Sequence, residues 1–448
     1  MPPSAQGATA NAAVAASLAA TPRWSQPTLV AFRFFVVYLS LYVLLTQMLT
    51  SLLFVTTNDS GAFEVDMTSP ARAIVVWLAS HVFGIAHPIV TRETGSGDRI
   101  YDWIVLVVIL VSAIVGTVIW CILDRKRENY ARFQSWFRVF IRFSLAATML
   151  TYGASKVIPL QMPFPNLDRL LEPYGNLSPM GVLWAFVGSS SAYEIFVGCA
   201  ETLGGLLLFS ARTTALGALV CLADGIQVLL LNMTYDTPVK LLAFHLIVFS
   251  LFLLAPDAKR LANVFLLNRA APPSTEAPRF RTPLANRAAL GVQILVAAFL
   301  VLGNAYNSIS EYKLFGEGAP KSPLYGIWNV EDFTLDGQAR PALLTDTQRW
   351  RRMVFIYPRY MSIYGMDDTP RFYGFSLNVN ATTFELAGGG PKGWKADFSF
   401  SRPSPAELIV DGSMDGHKIH AQLAAQDISK FQLVSRGFHW VSEFPYNR

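Results

Sequence analysis

Seven polar side chains sit in or at the ends of otherwise apolar stretches: Lys156, Glu194, Glu201, Asp224, Gln227, Lys240 and His245. Glu194 and Glu201 belong to Ser191-Ala-Tyr-Glu-Ile-Phe-Val-Gly-Cys-Ala-Glu-Thr-Leu-Gly-Gly-Leu-Leu-Leu-Phe209. Seven residues apart, they project from one face of a helix, separated by about 10 Å along its axis. An ionisable group at membrane depth costs several kcal/mol and marks a functional site by default. The next apolar segment carries Asp224 with Gln227 one turn further on, and the one after opens with Lys240 and His245. Two kinds of chemistry fit such a set. Carboxylates beside a titratable imidazole can pass protons, and donors beside acceptors can hold an amphipathic ligand such as a quinone headgroup.

The spacing predicts roles within the set. Glu201, Asp224 and His245 are the expected catalytic or proton-handling groups. Lys156, Glu194, Gln227 and Lys240 are the expected binding groups. Lys156 closes a helix where Glu194 opens the next polar-bearing one, so these two are expected to pair and pin helices together. Glu201 and Asp224 lie deeper and have no obvious cation partner. His245 is either a proton carrier or a hydrogen-bonded core residue. No metal site is expected. His81 and His87 fall on different helix faces, His417 and His420 on opposite faces of a strand. Cys121, Cys199 and Cys221 show no metal or redox spacing.

The segments holding these residues are membrane-like. Hydrophobic residues make up 52% of the 448, charged residues 15%, and mean hydropathy is +0.35; soluble domains carry about 25% charged residues. Seven spans are predicted at Leu29–Phe54, Asp102–Leu123, Phe137–Val157, Ala192–Phe209, Thr213–Leu231, Val239–Ala255 and Ala288–Tyr306. Ala71–Val90 is apolar but broken by Arg72, His81, His87 and Pro88, as in an interfacial or re-entrant segment. The net charge of +5 is concentrated in loops, about thirteen basic residues on one side and about five on the other. That distribution argues against nucleic-acid binding. It predicts a multi-pass inner-membrane protein with its N-terminus in the cytoplasm and everything after Tyr306 on the outer, periplasmic side.

Five parts follow. Residues 1–28 form a cytoplasmic tail expected to be disordered, and 29–136 a transmembrane hairpin with an outer loop. Residues 137–257 form a four-helix bundle, and 258–307 a cytoplasmic linker with the last span. Residues 308–448 alternate apolar and polar residues, as in Trp350–Tyr357, Arg371–Val379 and Trp394–Phe400, with turn signals at Asp336-Gly337, Asp411-Gly412 and Asp415-Gly416. This is an all-β domain, a barrel or sandwich. Gln161–Met180, long and proline-rich, is either a lid presenting Phe164, Arg169, Glu172 and Tyr174 or a surface connector.

Two resemblances follow from quoted residues. Tyr152-Gly-Ala-Ser-Lys156, the Glu194–Arg212 helix with its Gly-Gly-Leu-Leu-Leu run, and Thr213-Thr-Ala-Leu-Gly-Ala-Leu219 together resemble the DoxX/DoxD-like family of four-helix membrane proteins over Arg142–Arg260. The resemblance implies a link to quinone-dependent redox chemistry, with quinone as the diffusible cofactor and a redox partner on the outer side. Gly326-Ile-Trp328 with Arg436 resembles the lipocalin signature, which implies a Trp packed under an arginine from the closing strand. The competing expectation is a non-enzymatic protein in which the barrel binds a lipid or partner and the bundle anchors or transports it.

Overall fold

The computed structural model describes residues 23–53, 69–92, 94–271, 280, 282–388 and 393–447; most of the expected cytoplasmic tail lies outside them. Its helices are α1 (Gln26–Leu45), α2 (Gln47–Leu53), α3 (Ser69–His81), α4 (Ile100–Leu123), α5 (Ala131–Val157), α6 (Leu167–Leu171) and α7 (Pro179–Gly188). They continue with α8 (Ser191–Leu208), α9 (Thr214–Thr234), α10 (Lys240–Leu254), α11 (Ala258–Phe265), α12 (Pro283–Phe315) and α13 (Gln432–Ser435). The chain forms two units, one of residues 1–158 and 195–310, the other of 159–194 and 311–448.

In the helical unit, six helices among the described residues are long and apolar enough to cross a membrane: α1, α4, α8, α9, α10 continued through α11, and α12. The protein is a multi-pass membrane protein by this measure. The remaining expected span, Phe137–Val157, lies within α5, whose 27 residues include Arg138, Arg142, Thr148 and Lys156, all buried. Its polar groups turn toward protein. Arg142, fully buried, donates to the carbonyls of Leu208 (2.7 Å) and Phe209 (2.6 Å). These are carbonyls left open at the end of α8. The Ala71–Val90 stretch contains α3, 13 residues long. At about 1.5 Å per residue it is too short for a hydrocarbon core of about 30 Å.

The first expected span is also broken. Ser25 caps α1, accepting from the Thr28 amide, but the helix stops at Thr46, which has extended dihedrals of −128° and 174°. The Thr46 hydroxyl donates to the Tyr42 carbonyl at 2.7 Å, and α2 then restarts at Gln47. At the N-terminus of α10, Asp98 from a distant loop accepts from the amides of Lys240 (2.8 Å) and Leu241 (2.9 Å). A carboxylate there neutralises free amides and complements the helix dipole.

The second unit holds a closed barrel. Strands β1 (Gly326–Leu335), β3 (Trp350–Tyr357), β4 (Tyr360–Gly365), β5 (Pro370–Asn378), β6 (Thr383–Ala387), β7 (Lys395–Ser404), β8 (Glu407–Met414) and β9 (His417–Ala425) pair antiparallel in sequence. Pairing of β1 with β9 closes the ring, and the two-residue β2 (Gln338–Ala339) folds back on β1. Closure removes the exposed edges an open sheet would leave. Inward side chains form one cluster that includes Trp328, Trp350, Phe355, Phe375, Phe384 and Phe398. The Phe384 and Phe398 rings stack at 5.2 Å. The interior is thus occupied by the barrel's own aromatic residues.

Several β-domain details correct the sequence reading. Asp336-Gly337 and Asp415-Gly416 do form turns, with φ of 52°, 79°, 55° and 83°, the left-handed pair a tight hairpin needs. Asp411-Gly412, expected as a turn, lies inside β8. There a Cβ on Gly412 would meet the Asp397 carbonyl at 2.3 Å, so this glycine serves close strand approach. Trp328 is buried and donates from Nε1 to the Leu324 carbonyl at 2.9 Å. The arginine over its ring is Arg402 of β7, at 5.3 Å. Arg436 follows α13 and stacks on Tyr446 instead, because the chain leaves the barrel at Ala425, before Arg436 is reached.

Candidate functional site

The site of interest is set by two glycines. α5 and α8 run antiparallel and touch backbone to backbone: a Cβ on Gly153 would sit 2.8 Å from the Thr202 amide, and one on Gly198 would sit 2.5 Å from the Val157 amide. Small residues permit such approach between membrane helices. Lys156 lies three residues after Gly153, and Glu201 three after Gly198. Each side chain leans toward the N-terminus of its own helix, which in an antiparallel pair makes the two converge. Lys156 Nζ donates to both Glu201 oxygens, at 2.6 and 2.7 Å. Both residues are buried, 6% and 3% exposed.

This pairing overturns the expected one. Glu194 Oε1 accepts from the Met162 amide at 2.8 Å. Glu201, expected to lack a cation, has one. The error was to match residues by the depth of their Cα atoms and ignore the reach and tilt of a lysine side chain.

Around the pair stand Tyr152 of α5 itself and groups from two other elements, α2 and α9. The Tyr152 ring lies 5.7 Å from Lys156 Nζ, and its hydroxyl donates to Gln47 Oε1 of α2 at 3.3 Å. On α9, Asp224 is 8% exposed, lies within electrostatic range of both Glu201 and Lys156, and forms no ion pair among the described residues. Cys221 packs where α8 and α9 touch, its Sγ 2.8 Å from a Cβ placed on Gly204. The centre therefore contains one cation, two carboxylates and a phenol. Its formal charge is −1 when all three ionic groups are charged.

The remaining expected site residues stand apart from this centre. His245 is fully buried and stacks on Tyr42 at 3.6 Å. Its Nδ1 donates to the Leu241 carbonyl at 2.7 Å, so Nε2 accepts from the Tyr38 hydroxyl at 2.8 Å. That fixes one neutral tautomer and fits the core-residue reading. Lys240 Nζ bonds Asp236 at 3.0 Å and lies 3.8 Å from Asp98, at the mouth of α10. Gln227, one turn from Asp224 on α9, is exposed while Asp224 is buried. No group of three or more metal-ligating side chains exists among the described residues.

Sequence reasoning missed Tyr152 and Gln47 as site residues. Tyr152 carried a signal, standing one turn before Lys156. Gln47 is a polar residue inside the first expected span, whose overall apolar pattern conceals the helix break at Thr46.

The loop expected as a lid packs within the barrel unit. Leu167 of α6 is buried with Ile327, Val354 and Tyr364 on the outer face of the strands. Asp168 accepts from Ser362 Oγ (2.5 Å) and the Tyr364 hydroxyl (2.9 Å). Burial pushes the Asp168 carboxyl up, against the pull of those two donors, and likewise raises the Tyr364 phenol. Of the other expected lid residues, Arg169 pairs with Glu172 at 2.6 Å, the Phe164 amide donates to Glu317, and Tyr174 is exposed.

Comparison with known proteins gives one informative relative. Over 129 residues the chain is 32% identical to the uncharacterized protein YwoB of Bacillus subtilis (strain 168), a match covering 29% of this chain and 79% of that protein. The chain belongs to the family of YwoB. No family model matches the chain, and no solved structure matches it. Kinship with YwoB carries no reaction, so the chemistry must be argued from the side chains. Most of the chain lies outside the YwoB match.

Proposed function

We propose that the protein is a DoxX-like, quinone-linked subunit of the cytoplasmic (inner) membrane, with the Lys156–Glu201–Asp224 centre as its ligand and proton site. The observation that carries the reading is a buried ion pair beside a second buried carboxylate, Asp224, which forms no ion pair among the described residues. A structural pin needs one acid and one base, and the additional acid has no structural task. The loop charges support a cytoplasmic N-terminus and a periplasmic barrel, with α5 counted as a seventh crossing.

The donor set fits a quinone headgroup. Such a ligand has carbonyl oxygens that need donors and, on taking up two electrons from a partner, two protons. Lys156 and Tyr152 supply donors, and Glu201 and Asp224 supply places to hold protons inside an apolar bundle. Lys156 orients Glu201 through both carboxylate oxygens until a ligand competes for its ammonium. The polar contact between Tyr152 and Gln47 is the exposed edge of the centre. The barrel's filled interior favours a partner-facing outer surface over an internal lipid.

Protein purified in native lipid discs should retain quinone in organic extracts, and Lys156→Ala should lower the retained amount at least tenfold. Bulk phospholipid recovered should be unchanged. Absence of quinone from the wild-type protein overturns the reading.

A further inference from the structure

The end of the chain carries an apolar surface that neither the barrel nor the proposed ligand site uses. Phe431 packs partly against the barrel's outer cluster, and α13 follows it. Beyond Gly437, which has a φ of 61°, Phe438, Trp440, Val441 and Phe444 are between 76% and 91% exposed. This is a built shape. Arg436 donates to the His439 ring at 3.0 Å and lies 4.6 Å over the Tyr446 ring. The Tyr446 hydroxyl donates to Gln432 at 2.8 Å, and Phe438 and Trp440 meet edge to face at 5.0 Å. Polar contacts hold the base of the turn while its rings face out. Soluble surfaces rarely carry several large apolar side chains side by side without a function.

The chain itself points to the occupant. Only ten residues, 316–325, separate the end of α12 from β1, a reach of roughly 35 Å when fully extended. A spanning α12 therefore keeps the barrel close to a bilayer surface. Trp and Phe beside a cation match the headgroup zone, where amphipathic rings concentrate and arginine meets lipid phosphate. We propose that the segment Phe438–Phe444 is a membrane-interface anchor, inserting Trp440 and Phe444 into the headgroup region of the bilayer that the apolar helices cross.

The test uses full-length protein with Cys121→Ser, Cys199→Ala and Cys221→Ala, in nanodiscs of phosphatidylethanolamine and phosphatidylglycerol. A nitroxide is attached at Trp440→Cys, at Phe444→Cys, or, as a water-exposed control on β9, at Lys418→Cys. Collision with oxygen relative to a water-soluble nickel complex should be several-fold higher at 440 and 444 than at 418. Equal ratios at all three sites overturn the anchor. Low access to both reagents at 440 and 444, with an immobilised spectrum, also overturns it and assigns the segment to a protein contact.

Discussion

At the scale of single residues, the Lys156–Glu201 pair is the most consequential contact in the helical unit. Two charges out of water recover their desolvation only through mutual contact, so removing one partner is far worse than removing both. Lys156→Ala should destabilise the detergent-solubilised protein by about 3–5 kcal/mol, read as loss of helical signal on titration with a denaturing detergent. Lys156→Met combined with Glu201→Leu should restore most of that loss, within about 1–2 kcal/mol of wild type. A single mutant as stable as the double would mean that the pair is solvated. His245 illustrates the opposite case. By sequence it is either a proton carrier or a hydrogen-bonded core residue; with both ring nitrogens engaged and Tyr42 stacked on it, its geometry fits the second reading.

At the scale of elements, helix contacts decide where these residues meet. Gly198 has no room for a methyl group against α5, so Gly198→Ala must push the two helices apart. The expected cost is about 1–3 kcal/mol, together with a longer Lys156–Glu201 contact. The matched substitution Gly291→Ala in α12, where a Cβ would meet nothing within 4 Å, should be neutral or slightly stabilising in the same assay. Asp98→Ala removes the acceptor for two free amides of α10 and should cost about 1 kcal/mol. Because Asp98 reaches from another loop, local faster hydrogen exchange at Lys240 and Leu241 is the diagnostic readout. The strand elements were largely legible: Trp350–Tyr357 is a strand to the residue, since alternation with bulky apolar groups has few other solutions. The Asp411-Gly412 turn was misread, because the same dipeptide suits both a hairpin and a tight inter-strand approach.

At the scale of the whole molecule, the barrel unit carries a pH-sensitive fastening. Asp168 holds α6 against β4, and burial raises its carboxyl above the ordinary range. A folded-state value above the unfolded one means that the folded form binds the proton more tightly. The contribution of this group is full below its unfolded value and is lost as pH rises through the raised one. Hydrogen exchange across Leu167–Leu171, corrected for intrinsic rates, should therefore be slower in mild acid than at alkaline pH. Asp168→Asn, which stays neutral, should flatten that dependence. If the pH dependence persists in Asp168→Asn, another group controls the fastening.

The sequence by itself determined the class of the molecule: apolar runs of helical length, a change of period near residue 308, and polar residues that a membrane segment carries only at a cost. Those properties depend on composition and spacing, which survive without knowing which helix touches which. Tertiary structure alone decided the partners. Lys156 meets Glu201 because two glycines bring α5 and α8 together in antiparallel register and both side chains lean inward. Gln47 joined the centre because a helix broke at Thr46, and Arg402 covers Trp328 because the barrel closes before Arg436. Contacts between residues far apart in the chain are set by helix register and side-chain tilt, and neither is written in the linear order of residues.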